Sequence, residues 1–300
     1  MTELATIQNQ KSIFDFEVNK VEEMDLATLR RSHRENTPNG DPIRGLYHFQ
    51  AIERVGALCQ KHGLNYQIEE IFAAQNRNKT QPGVSLLPSV EKQYGDKAVE
   101  AHILRRIYTT IRIDNGEDDE LTTTLAIAFH QDGLQVAIGP CVKICHNQCI
   151  LSADRRVADY GKDKVSTEQV FSIVDDWLGN FSSQMTEDRQ RIQRLKAKTV
   201  TVQELYTYIG LLTAIRVAHD SSDKTLSSTV DAYPLNQGQI TDFTESVLKL
   251  MQQKGMLTAW DLYNAATELY KPQRADFPTL IPQNSTFAAT LVSFCEHGIA

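Results

Sequence analysis

Residues Thr122–Gly139 read TTTLAIAFHQDGLQVAIG. Two apolar runs flank Asp132-Gly133, a dipeptide that suits the type I′ turn of a hairpin because both residue types tolerate positive φ. The expected structure is a pair of antiparallel strands. Upstream, Asn65–Ala73 (NYQIEEIFA) and Leu104–Asp114 (LRRIYTTIRID) carry the β-branched and aromatic residues of further strands. Asn115-Gly116 closes the second of these, and Glu117, Asp118, Asp119 and Glu120 follow as an acidic loop.

Around this β-rich part the pattern is helical. His48–His62 spaces Phe49, Ile52, Val55, Leu58 and Cys59 along a helix, with Gly63 placed to cap it. Ser166 and Gln169 make a capping box before the apolar stripe Val170, Ile173, Val174, Trp177, Leu178 and Phe181. The polar run TEDRQRIQRLKAK continues that helix, and further helices are expected at Thr201–His219, Thr241–Gln253 ending at Gly255, and Thr258–Tyr270 ahead of Pro272. The fold class expected is α+β, with an antiparallel β-rich N-terminal half and a helical C-terminal half. Three regions follow: a flexible or loosely docked arm over residues 1–45, a β-rich region over 46–160, and a helical region over 161–300 packed on it.

Composition narrows the function classes. A chain of 300 residues, 41% hydrophobic and 23% charged, is ordinary globular material. Its net charge of −7 disfavours a general polyanion binder. No run approaches the roughly 18 apolar residues of a membrane helix, and Met1–Lys20 is polar, so the expected location is the cytoplasm, with no membrane partner. Five cysteines, an odd number, point to reduced thiols.

Three of those cysteines, Cys141, Cys145 and Cys149, fall at steps of four in GPCVKICHNQC. On a helix the outer two stand about 12 Å apart, too far to share one tetrahedral ion. On a strand they point to one side but do not converge. A buried core segment is the expectation, with Gly139-Pro140 turning the chain into it, and metal ligation or redox chemistry are the alternatives. No cofactor is expected. Trp260, Asn264 and Thr267 share one helical face at i, i+4 and i+7, and with Asn147 they form either a buried polar clamp or the wall of a ligand pocket.

The hairpin running into AIGPCVKICHNQCILS, followed by MLTAWDLYNAATELYKP at Met256–Pro272, resembles the two signatures of the phage- and plasmid-related family known as domain of unknown function 932. The resemblance spans Ala126–Pro272, about half of the chain, and departs from the family where Lys271-Pro272 stands in place of a histidine. It implies a phage or mobile element as the setting. It implies no chemistry, since the family has no accepted activity.

The sequence contains no phosphate-binding glycine loop, nucleophile elbow or His-Glu-x-x-His pair, and the reading is that it is not an enzyme. His130 reads as a strand-end residue, His219 as a helix C-terminal charge, and Asp175-Asp176 as a solvated face. Two function classes are carried forward. The first is an accessory protein, expected to be a homo-oligomer, that inhibits a host protein complex such as a defence nuclease, with the acidic loop Glu117–Glu120 at the contact. The alternative is a single-stranded nucleic-acid binding or annealing protein, with Arg30, Arg31, Arg34, Arg105, Arg106 and Arg112 along the backbone and Tyr47, Phe49 or Tyr108 stacking on bases.

Overall fold

The hairpin forms, one residue out of the expected register. In the computed structural model, strand β4 (Leu121–His130) pairs with β5 (Gly133–Val142) so that His130 lies opposite Gly133, which puts Gly133 on the strand and not in the turn. The structure describes residues 21–31, 46–77, 102–114, 121–130, 133–142, 147–148, 150, 156–159, 165–221, 233–270 and 277–297. Gly139-Pro140 does not turn the chain either: both residues lie within β5, opposite Thr124 and Thr123. On its outer side β5 pairs with β7 (Arg156–Asp159) as far as Ala137 and with β6 (Asn147–Gln148) from Cys141. Pro140 falls between those two pairings, where an absent N–H is tolerated.

The remaining strands extend a meander. β1 (Val21–Glu23), β2 (Tyr66–Arg77) and β3 (His102–Ile113) complete a seven-stranded antiparallel sheet in the order β1-β2-β3-β4-β5-β6, with β7 beside β6 on β5. Residues 21–31 of the expected arm belong to this fold: β1 pairs with β2, and Met24 and Leu29 are buried.

The strands of the hairpin sort their residues by size. Leu125, Ile127, Phe129, Leu134, Val136 and Ile138 enter one core, whereas Ala126, Ala128 and Ala137 enter the other. Such a sheet is covered on both sides, which is why its strands read as nearly continuous apolar runs. The bulky face packs under α1 (Leu26–Arg31), α2 (His48–Lys61) and α3 (Thr167–Gly179). The small-residue face receives α8 (Phe277–His297), which lies against β3, β4, β5 and β7. Behind α8 stand α5 (Val202–His219), α6 (Gln237–Lys254) and α7 (Ala259–Glu268).

Among the described helices, one joins the two cores. In α4 (Phe181–Ala197), Phe181 and Met185 belong to the first core, Ile192 and Leu195 to the second. The run expected as one helix from Ser166 is therefore two, broken at Asn180, whose φ of −106° and ψ of 20° leave the helical region. After α4 the short β8 (Thr199–Val200) pairs with β9 (Leu257–Thr258), tying the start of α5 to the start of α7.

Helix boundaries follow capping chemistry. Ser166, Thr201, Asn236 and Thr258 each accept from the backbone N–H three residues on, and the residue at that position answers with its side chain. Gly63 and Gly255 adopt the positive φ values of 68° and 75° that end α2 and α6. Across the first helical layer, Arg54 forks onto Glu168 and lies 4.1 Å from the Phe171 ring, while Asp175 accepts from Lys61 at 2.5 Å and sits 2.6 Å from the His62 Nε2. Asp175 is thus a tie between α2 and α3 and not a merely solvated residue.

The seating of α8 on alanines makes a direct forecast. Ala128→Leu inserts an isobutyl group under α8 and is expected to lower stability by about 1–3 kcal/mol, read as an earlier urea midpoint at unchanged slope. An unchanged midpoint would show that α8 does not rest there.

Candidate functional site

The segment after the cysteines is anchored by a buried three-way hydrogen-bonded contact. The Tyr263 hydroxyl on α7 accepts from the Ile150 N–H at 2.9 Å and donates to Asn284 Oδ1 on α8 at 2.7 Å. The same Ile150 N–H lies 3.4 Å from Asn284 Oδ1. Around it, Gln283, Asn284, Ser285 and Thr267 are all buried, and the Tyr270 hydroxyl donates to the Pro234 carbonyl at 2.5 Å. Groups so enclosed must find partners, and this seam supplies them between two helices and the sheet.

The expected clamp residues lie at this seam in part. Trp260 is buried and stacks on Tyr263 with centroids 5.7 Å apart, and the Lys196 ammonium is 5.8 Å from the indole ring. The Thr267 hydroxyl donates to the Asn264 carbonyl at 3.0 Å, a bond within the helix. Asn147 lies on β6, against which α7 packs; its side chain lies outside the described residues. Tyr263 and Asn284, which the sequence reading did not single out, make the long-range connection.

Cys141 is buried on β5, opposite Thr122 and Gln148, and is not in a disulfide. Cys145 and Cys149 lie outside the described residues, as do Glu117, Asp118, Asp119, Glu120 and Arg34. Among the described residues no cluster of His, Cys, Asp or Glu could hold a metal ion. No helix among them is long and apolar enough to cross a membrane.

The arginines chosen from the sequence do not assemble into one track among those whose side chains are described. Arg30 on α1 pairs with Glu53 and lies 5.8 Å over Phe49, on the bulky side of the sheet. Arg112 shares the strand face of Tyr108, on the opposite side, and engages Gln67 and, at 3.5 Å, Glu69. Arg31 ends α1 and Arg105 and Arg106 lie on β3, their side chains outside the described residues. Tyr108 is buried, and burial pushes its phenol pKa up, so it is not a surface on which a base can stack. Tyr47 and Phe49 stack on each other at 5.9 Å and are half-buried.

Two surfaces outside the sequence reading are better formed. An open groove of about 590 Å³ is lined, among the described residues, by Thr186, Arg189, Gln190, Gln193 and Arg194, all from one face of α4. The second surface is α5, which is apolar on both sides. Leu205, Tyr208 and Leu212 are buried, Tyr208 against Phe287 and Phe294 at 5.7 and 5.1 Å. Its outer side carries Val202, Tyr206 and Val217, exposed by 51%, 57% and 64%. Gly210 and Ala214 lie exposed between them, and Ile209 and Thr213 are half-buried at the margin. None of these seven side chains is charged. Met256, 61% exposed, immediately precedes β9 and so stands beside the first turn of α5, to which β8 leads.

No family model, curated protein or solved structure matches this chain. The resemblance noted from sequence therefore rests on the residues quoted for it, and the surfaces carry the functional argument.

The start of α5 is fixed by charge as well as by its cap. Lys198 donates to Glu204 at 2.8 Å, and Glu204 also accepts from the Thr201 N–H at 2.8 Å. The Lys198 hydrogen bond, followed by those from Thr201, lowers the Glu204 pKa to about 2. A depressed carboxyl stabilises the fold above its ordinary value of 4.5 and loses that contribution as pH falls through about 2. Glu204→Gln is expected to lower stability at neutral pH by less than about 1 kcal/mol, the pair being partly solvated, and the gap from the parent should close between pH 4.5 and 2. A gap independent of pH would contradict the pairing. Tyr263→Phe removes the shorter partner of the Ile150 N–H and should cost about 1–3 kcal/mol in urea unfolding. No loss would show that the seam is not closed by that hydroxyl.

Proposed function

We propose that the protein is a non-catalytic interaction protein that works by binding other protein subunits. The observation that carries this reading is the outer side of α5, where Val202, Tyr206 and Val217 stand in solvent along one uncharged face. Large apolar side chains that line up on a surface mark docking sites for protein, because their burial on association is favourable and they are of no use in contact with water. A central strip of small residues between bulky ends also suits the close approach of another helix.

The finer reading is an accessory protein of a phage or mobile element that inhibits a host complex, a defence nuclease being the case favoured. It is supported by the family resemblance and by the acidic run Glu117–Glu120 in a chain of net charge −7. The alternative, single-stranded nucleic-acid binding, is supported by a different observation: Arg189 and Arg194 flank two glutamines on a face of α4 that lines a groove.

Two measurements separate them. A benzophenone amino acid placed at Val217, irradiated in a host lysate, should cross-link to protein whether or not the lysate is nuclease-treated. Cross-linking to nothing would end the protein-docking reading. Fluorescence anisotropy with an oligothymidine at low salt should show no binding that Arg189→Glu with Arg194→Glu abolishes. Binding lost in that double variant would establish the nucleic-acid alternative, with a salt slope of about −0.7 for each phosphate contact.

A further inference from the structure

We propose that the partner seated on the uncharged face of α5 is a second copy of this chain, its α5 antiparallel to the first about a two-fold axis near Gly210. This rests on the reading of α5 as a docking face and names its occupant.

Self-complementarity is the argument. A two-fold contact sets the same patch against itself, so each position must be matched by its own mirror along the helix. Centred on Gly210, the antiparallel register sets Tyr206 against Ala214, a large exposed side chain against a small one, twice over. At the centre Gly210 meets Gly210, and a Cβ built there would meet no heavy atom within 4 Å, so the strip in front of it is open. Val202 falls opposite Ala218 and Val217 opposite Gln203, so no charge is buried at the ends.

Glu204 and Arg216 stay out of the contact: at about 100° per residue they lie roughly 120° to either side of Gly210 around the helix, and each holds a partner on its own chain, Lys198 and Asp220. The antiparallel arrangement also sets the positive end of each helix dipole beside the negative end of the other. A parallel pairing would set Tyr206 against Tyr206. A host protein would need a matching strip of its own, whereas this face matches itself.

The helix offers about 27 Å of contact length. That places the contact toward the small end of specific interfaces, and the expected dimer is concentration-dependent, with a Kd on the order of 1–100 μM.

The test is sedimentation equilibrium of the full chain from about 1 to 300 μM, the parent beside Tyr206→Glu and Tyr206→Phe. The parent should pass from monomer to dimer. Tyr206→Glu should raise the dimer Kd at least about tenfold, since it places a charge in an apolar contact opposite Ala214, while Tyr206→Phe should stay near the parent. Circular dichroism of the two variants should match the parent, as expected for a side chain that stands in solvent. A parent that stays monomeric throughout, or a dimer indifferent to Tyr206→Glu, overturns the proposal. Should the parent be monomeric while the benzophenone at Val217 captures a different protein, the second copy is excluded and the docking face stands. If neither is seen, both fall.

Discussion

The hairpin β4–β5 is buried on both faces, and the rest of the structure follows from the need to cover each face with a different layer. Leu125, Ile127, Phe129, Leu134, Val136 and Ile138 present a thick surface that α2 and α3 cover from outside, with ion pairs along their seam. Ala126, Ala128 and Ala137 present a shallow one. A shallow surface lets a helix axis approach the sheet closely, and α8 takes that place. Close packing of this kind fixes one arrangement, because the gap left by a missing helix could not be closed by side chains so short.

Once α8 is seated, the order of the outer helices is constrained. Phe287 on its far side receives Tyr208, Phe243 and Tyr263, one each from α5, α6 and α7. The polar triplet Gln283-Asn284-Ser285 would be costly in such a core without partners, and the Tyr263–Asn284–Ile150 contact answers that need while pinning the end of the cysteine-bearing segment. α5 is left outermost with one apolar side spent on the core and a second facing outward. An interaction surface here is thus the remainder of a packing solution: a helix apolar all round has one face more than its own chain can bury.

Much of the architecture was legible in the sequence. The hairpin announced itself through two apolar runs about a turn dipeptide, and the cap at Ser166 through a short polar side chain three residues ahead of Gln169. Other features were hidden for identifiable reasons. α8 was missed because Pro282 breaks a helical reading, although a proline near the start of a long helix is accommodated once the sheet holds it. The break at Asn180 was invisible because the apolar stripe runs through it without a change of phase. α6 starts at Gln237, four residues ahead of the reading, because Asn236 and Gln239 form a cap within a stretch that looked like loop. Gly139-Pro140 looked like a turn, since the gap between β6 and β7 that admits Pro140 is a property of the sheet. Among candidate site residues, Trp260 and Thr267 are buried on α7, but spacing could not find Asn284, which lies on a helix the pattern did not show. The outer side of α5 left one trace, an 18-residue helix whose charge-bearing residues are Glu204 in its first turn and Arg216 and His219 in its last, and its meaning required knowing which side is buried.

Hydrogen–deuterium exchange at two protein concentrations, about 2 and 200 μM, tests this account most directly. The account predicts slowest exchange in Leu125–Phe129, Leu134–Ile138 and the centre of α8, equal at both concentrations, with added protection in α5 alone at the higher one. Exchange in the hairpin as fast as in the outer helices would contradict a fold organised on a doubly buried sheet. Protection of α5 that does not change with concentration would contradict its outward face being the surface where copies meet.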